Sequence, residues 1–197
     1  MNIIFKDAFE KGLTYTEYRN LANQLIAEGK VTGHEQSEML LHYAQLNEAR
    51  MNRLDKTTVI TSNVVAFLEN YPKKMIWLVL AESWCGDAAQ IIPVINKMAL
   101  VSDKIDLKIV LRDDNPSLMD LFLTHGTRSI PKLIMIDAEN FELINDFGPR
   151  PQGAKQLILD YKSAHGVIDE TAKIELQKWY LQDKGVGIQE EIVGLLK

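Results

Sequence analysis

The sequence predicts an α/β protein: a mixed four-stranded sheet flanked by helices, with helical extensions before and after it. Three observations carry this. Residues 76–81, Ile-Trp-Leu-Val-Leu-Ala, are apolar at every position, as in a strand covered on both faces. From there the pattern runs strand, helix, strand, helix, strand, strand, helix, with only Asp137-Ala138-Glu139-Asn140 between the last two strands. Before residue 75 and after residue 165 the apolar residues recur only at helical spacing.

The elements follow in order. Thr14 and Glu17 form a capping-box pattern, after which Tyr18, Leu21, Ala22, Leu25 and Ile26 mark one helical face until Gly29. Thr32 and Glu35 repeat the signature and predict a second helix start, with a stripe through Met39, Leu40, Tyr43 and Leu46 that continues toward Leu54. A third helix is expected from Thr58 with Ile60, Val64, Phe67, Leu68 and Tyr71 on one face, stopped by Pro72. After the strand at 76–81, a helix is expected over 86–100, a strand over 105–111, a turn at Asp113-Asp114-Asn115-Pro116 and a short helix toward Leu123. Strands at 132–136 and 141–147 are close enough in sequence to pair antiparallel. Pro151 opens a helix through Ala154, Leu157, Ile158 and Tyr161 that stops before Gly166, and Ala172, Leu176, Trp179 and Tyr180 mark one more, ending near Gly185. This divides the chain into a helical extension (1–56), the α/β unit (57–165) and a second helical extension (166–197).

Bulk properties narrow the function classes. A net charge of −5 would repel a phosphate backbone, so nucleic acid is not an expected partner. No apolar run reaches the ~18 to 20 residues of a membrane span, and the first seven residues lack a secretory apolar core. A cytoplasmic protein without a membrane partner is the expectation. One cysteine excludes an internal disulfide and a cysteine-based zinc site, and the four histidines are scattered, so neither metal nor cofactor is expected.

That cysteine, Cys85, falls between the end of the buried strand and the start of a helix, beyond the carboxyl ends of the parallel strands where such sheets bind ligands. Helix-start N–H groups favour its thiolate, whereas the carboxylate of Asp87 opposes a second negative charge. The two act in opposite directions, and the sign of the net shift stays open. Gly86 gives backbone access and Trp84 a flat apolar wall, which an inert core cysteine does not require.

The run Ala81-Glu82-Ser83-Trp84-Cys85-Gly86 resembles the active-site approach of the thioredoxin family. Pro93 matches the proline inside that family's active-site helix, Asp113-Asp114-Asn115-Pro116 resembles its turn after the next strand, and Gly126-Thr127-Arg128-Ser129-Ile130-Pro131 is similar to its loop leading to a cis-proline. The resemblance covers roughly residues 57–165 and implies a thioredoxin-like fold. It also implies a cis Ile130–Pro131 bond beside Cys85, with the Ile130 backbone free to pair with an extended substrate. Two positions depart from the family pattern. Ala88 stands where the second cysteine would be, and Val79 where many members keep a buried acid. The Trp-Cys-Gly-Asp loop looks like a bacterial thioredoxin-like subgroup.

The resemblance implies a monothiol thiol–disulfide oxidoreductase: Cys85 attacks a protein or small-molecule disulfide, and a low-molecular-weight thiol resolves the adduct. Trp84, Gly86, Asp87, Arg128, Ile130 and Pro131 are the expected substrate contacts, Arg128 through an anionic group. Asp87 also reads as an ordinary helix-start acid, and Arg128 as a solvated loop residue. The alternative is a redox-inactive thioredoxin-fold module that binds a peptide or protein along the same groove. A metal cluster shared between two chains, as in monothiol glutaredoxins, is a third arrangement, but this loop differs from theirs.

Overall fold

Side-chain alternation along one strand divides the core into two layers. The computed structural model describes residues 1–197 and runs α1 (Asn2–Lys11), α2 (Tyr15–Ala27), α3 (Glu38–Thr57), α4 (Ser62–Asn70), β1 (Met75–Ala81), α5 (Gly86–Ala99), β2 (Ile105–Leu111), α6 (Pro116–Met119), β3 (Lys132–Asp137), β4 (Leu143–Phe147), α7 (Gln152–His165), α8 (Glu170–Asp183) and α9 (Val186–Leu195). Every residue of β1 is buried. Met75, Trp77, Val79 and Ala81 face the larger core layer, with α5 and side chains from α4, α7, α8 and α9. Ile76, Leu78 and Leu80 face the other layer, with Phe5 and Ala8 of α1 and Leu118 and Met119 of α6. An all-apolar strand is what two covered faces require.

The sheet order is β2-β1-β3-β4. β1 and β2 are parallel, while β1–β3 and β3–β4 are antiparallel. This is the mixed four-stranded sheet expected from the sequence. Leu80 pairs with Lys132, so the chain entering β3 lies beside the chain leaving β1. That register brings residues 82–87 and 130–131 to one end of the sheet.

The capping box of α2 is present: the Thr14 hydroxyl accepts from the Glu17 N–H, and the Glu17 carboxylate accepts from the Thr14 N–H. α3, however, starts at Ser37, whose hydroxyl accepts from the Leu40 N–H, and not at Thr32. The Thr32 hydroxyl is taken elsewhere, accepting from the Ser83 N–H at 2.7 Å. The stripe of α3 also differs, with Met39 and Leu46 exposed and Leu40, Ala44, Asn47, Met51 and Leu54 buried. The small Ala44 and polar Asn47 hide that face from a hydrophobicity pattern. α1 and α9 are additional to the expected helices. Neither has a side-chain N-cap, and α9 contains Gly187 and Gly194, so the usual start and propensity signals are missing. No helix is long and apolar enough to cross a membrane.

Candidate functional site

The site begins where β1 ends. Glu82 and Ser83 are buried and held from outside the sheet. The Glu82 carboxylate accepts from the Asp113 N–H at 2.9 Å, Ser83 is tied to Thr32, and Asn47 of α3 donates to the Ser83 carbonyl at 2.9 Å. The Trp84 indole N–H donates to the Thr32 carbonyl at 3.1 Å, and the Arg112 guanidinium lies 4.9 Å from the centre of its ring. Trp84 is thus a half-buried wall fixed by a strap at 32–34 rather than a free face.

Cys85 occupies the N-cap position of α5. Its thiol donates to the Ile130 carbonyl at 3.3 Å. Burial is the largest influence on it and, with the Asp87 carboxylate, pushes the thiol up to about 12. The Ala88 and Asp87 N–H groups and the Arg150 guanidinium pull the other way and do not compensate. Burial thus acts in the same direction as Asp87, toward the protonated thiol, and against the helix-start N–H groups.

Asp87 is itself buried, and both of its oxygens are engaged. One accepts from the Tyr180 hydroxyl of α8 at 2.8 Å, and the other from Arg150 at 2.8 Å. Burial and the Asp87 carboxylate push the Tyr180 hydroxyl well above its ordinary range, so it stays a donor. The carboxylate thus reaches across from α5 to α7's entry and to α8, locking the second extension onto the cysteine loop.

Ile130 and Pro131 are buried against this loop, and both Ile130–Pro131 and Gly148–Pro149 are cis peptide bonds. Gly148, at φ +119°, passes so close that a Cβ there would sit 2.3 Å from the Pro131 carbonyl oxygen, which only glycine avoids. The Ile130 N–H donates to no group of the chain, although the residue is only 7% exposed. Arg128 is placed differently, its guanidinium forming a two-point ion pair with Asp120 at 2.7 Å on the exposed side of the loop. The sequence thus brings Trp84, Cys85, Gly86, Asp87, Ile130 and Pro131 to one end of the sheet, while the charge of Arg128 is spent on Asp120.

The comparisons with known proteins agree with this architecture. A family profile described as thioredoxin matches residues 33–165, more than half of the chain. The chain belongs to the thioredoxin family. Two solved structures are similar to this family member: an HIV epitope-scaffold, at 19% identity with a TM-score of 0.56, covering 88% of this chain and 96% of that one; and a protein of unknown function from Pseudomonas aeruginosa, at 18% identity with a TM-score of 0.51, covering 93% and 95%. At such identities the likeness is one of fold. Among curated proteins, none matches the chain.

What this thioredoxin-family chain adds around the loop was not visible as a site in the sequence. Thr32, Asn47, Arg150 and Tyr180 each contact the loop from a different element. Tyr180 reads as part of a helical stripe and Arg150 as a helix entry, and their distance in sequence from Asp87 conceals the pairing. The signal available was chemical: an acid two residues after the cysteine, in the loop that leaves a buried strand, needs a partner if the loop is covered.

Proposed function

We propose that the chain is a thioredoxin-fold binding module that takes an extended segment beside Cys85 and keeps that cysteine as a thiol at rest. The 3.3 Å approach of Cys85 Sγ to the Ile130 carbonyl carries this reading, because a carbonyl oxygen only accepts and so favours a protonated thiol over a thiolate beside it. Burial and Asp87 favour the same protonation state. Ala88 supplies no resolving thiol and Val79, fully buried, no proton relay. The binding half of the reading is supported by the Ile130 N–H. It has no acceptor within the chain, and an unpaired N–H beside the cysteine loop is suited to a backbone carbonyl of a bound strand.

A second reading, monothiol exchange, is favoured by the Asp87 and Ala88 N–H groups and Arg150, which stabilise negative charge on Sγ. In it, Cys85 thiolate attacks one sulfur of a disulfide, forming a mixed disulfide and releasing the other sulfur as thiolate. A low-molecular-weight thiol then attacks the substrate-derived sulfur and returns Cys85 as thiolate, the substrate leaving as a disulfide with that thiol.

The pH dependence of Cys85 alkylation in the native protein separates the two. The module predicts a rate that still rises above pH ~8.5, the ordinary cysteine value, and no thiol-dependent turnover of a small aromatic disulfide. A rate that levels off below pH ~7, with turnover lost in Cys85→Ser, would replace the module with the exchange mechanism.

A further inference from the structure

On the other flank of the same loop, α3 and α8 bring together hydrogen-bond donors that have no acidic partner. Arg50 and Arg53 are three residues apart on α3 and so share a face. Arg50 Nη1 lies 3.6 Å from the point a Cβ of Gly86 would occupy, and Gln177 Nε2 of α8 lies 3.9 Å from the same point. Gly86 has no side chain, so both nitrogens approach its backbone directly, and its own N–H donates to no group of the chain.

The hydrogen-bond chain fixes which way each amide faces. Arg53 is only a donor, so the Gln90 atom it meets at 3.4 Å is the oxygen. Gln90 Nε2 then donates to Gln177 Oε1 at 2.6 Å, which leaves the Gln177 amide hydrogens without an acceptor in the chain. Arg50 donates only to Asn47 Oδ1, at 2.7 Å.

Nearby acids do not supply the missing charge. Asp87 faces Arg50 from α5, but Arg150 and Tyr180 hold both of its oxygens. Glu48 and Asp55 of α3 pair with Arg19 instead. Arg50 thus stands within charge range of both Arg53 and an Asp87 carboxylate already paired with Arg150, and neither Arg50 nor Arg53 has an ion-pair partner of its own. Burial, together with Arg53, lowers the proton affinity of Arg50, as expected where a cation is drawn out of water beside another cation. Both arginines are half-buried, and drawing like charges partly out of water without a counter-ion costs free energy that an anion placed beside them offsets.

We infer that Arg50, Arg53 and Gln177 form an oxyanion site over Gly86, adjacent to Cys85, which takes a carboxylate or phosphate of an acidic ligand. A guanidinium binds either group in a two-point fork, and the Gln177 amide and Gly86 N–H complete the donor set. The site goes beyond the groove reading and does not depend on it, since anion binding requires neither a bound strand nor exchange at Cys85.

The test is an NMR titration of the full-length ¹⁵N-labelled chain with inorganic phosphate and, separately, with succinate, at constant ionic strength. The Gly86 amide and the Arg50 Nε–H are followed. The site predicts saturable shifts at both; the Gly86 response is weakened about tenfold or more in Arg50→Gln, with a smaller loss at both probes in Gln177→Ala. Unchanged β1 amides show that each variant is folded, and Gln177→Ala serves as the test if Arg50→Gln is not. Saturation with phosphate alone assigns a phosphorylated ligand, and saturation with both probes admits a carboxylate. Shifts linear in both probes, or saturable binding unchanged in these variants, would overturn the site.

Discussion

Cys85 and Asp87 lie two residues apart and are coupled through charge, burial and Arg150. The Asp87 carboxylate raises the thiol's proton affinity, while the guanidinium it holds acts in the opposite sense. Replacing Asp87 with Asn removes the first influence and leaves the second. The alkylation profile of Asp87→Asn is therefore expected to move to lower pH by about one unit or more. Arg150, half-buried, would then lack its counter-charge, so the variant should also lose roughly 2–4 kcal/mol of stability in chemical denaturation. A profile that stays in place would mean that burial alone sets the protonation of Cys85.

At the scale of elements, α8 and α9 complete the core. Ala172, Leu176 and Tyr180 of α8, with Ile188, Ile192 and Val193 of α9 and the adjoining Leu196, belong to the layer that contains Trp77 and α5. Most are large apolar side chains, each contributing about 1.5–3 kcal/mol on burial, and their sum is of the order of a whole domain's net stability of about 5–15 kcal/mol. We therefore propose that the segment 166–197 is a part of the folding unit and not an appendage. A chain ending at residue 165 is expected to show no cooperative thermal transition by circular dichroism. A sharp transition close to that of the full chain would show that 1–165 folds by itself. The strap at 32–34 plays a related part on the opposite side, where Thr32 meets both Ser83 and Trp84 and so sets the position of the loop before Cys85.

For the molecule as a whole, the retained thiol proton links stability to pH. In the unfolded chain Cys85 loses its proton near the ordinary ~8.5, whereas in the fold it keeps it up to about 12. Its contribution is thus fully present below ~8.5 and is lost as pH rises toward 12. Between these values the thermal midpoint of the native chain should fall more steeply with pH than that of Cys85→Ala. Parallel slopes would show that Cys85 titrates alike in the folded and unfolded chains.

The sequence by itself determined the four strands, the antiparallel pairing of the last two and the position of the cysteine loop. The reason is that these depend on contiguous residues: an all-apolar run for β1, a short connection for β3 and β4, and Trp84-Cys85-Gly86 in an unbroken row. Tertiary structure alone decided the state of that loop. Thr32, for which local capping chemistry predicts a helix start, hydrogen-bonds Ser83 because the fold brings it there. Asp87, a helix-start acid by position, is buried because Arg150 and Tyr180 come from far along the chain to meet it. Burial and long-range charge are sums over neighbours in space, and so the influences on the Cys85 thiol from packing, Asp87 and Arg150 are ones that no local pattern records.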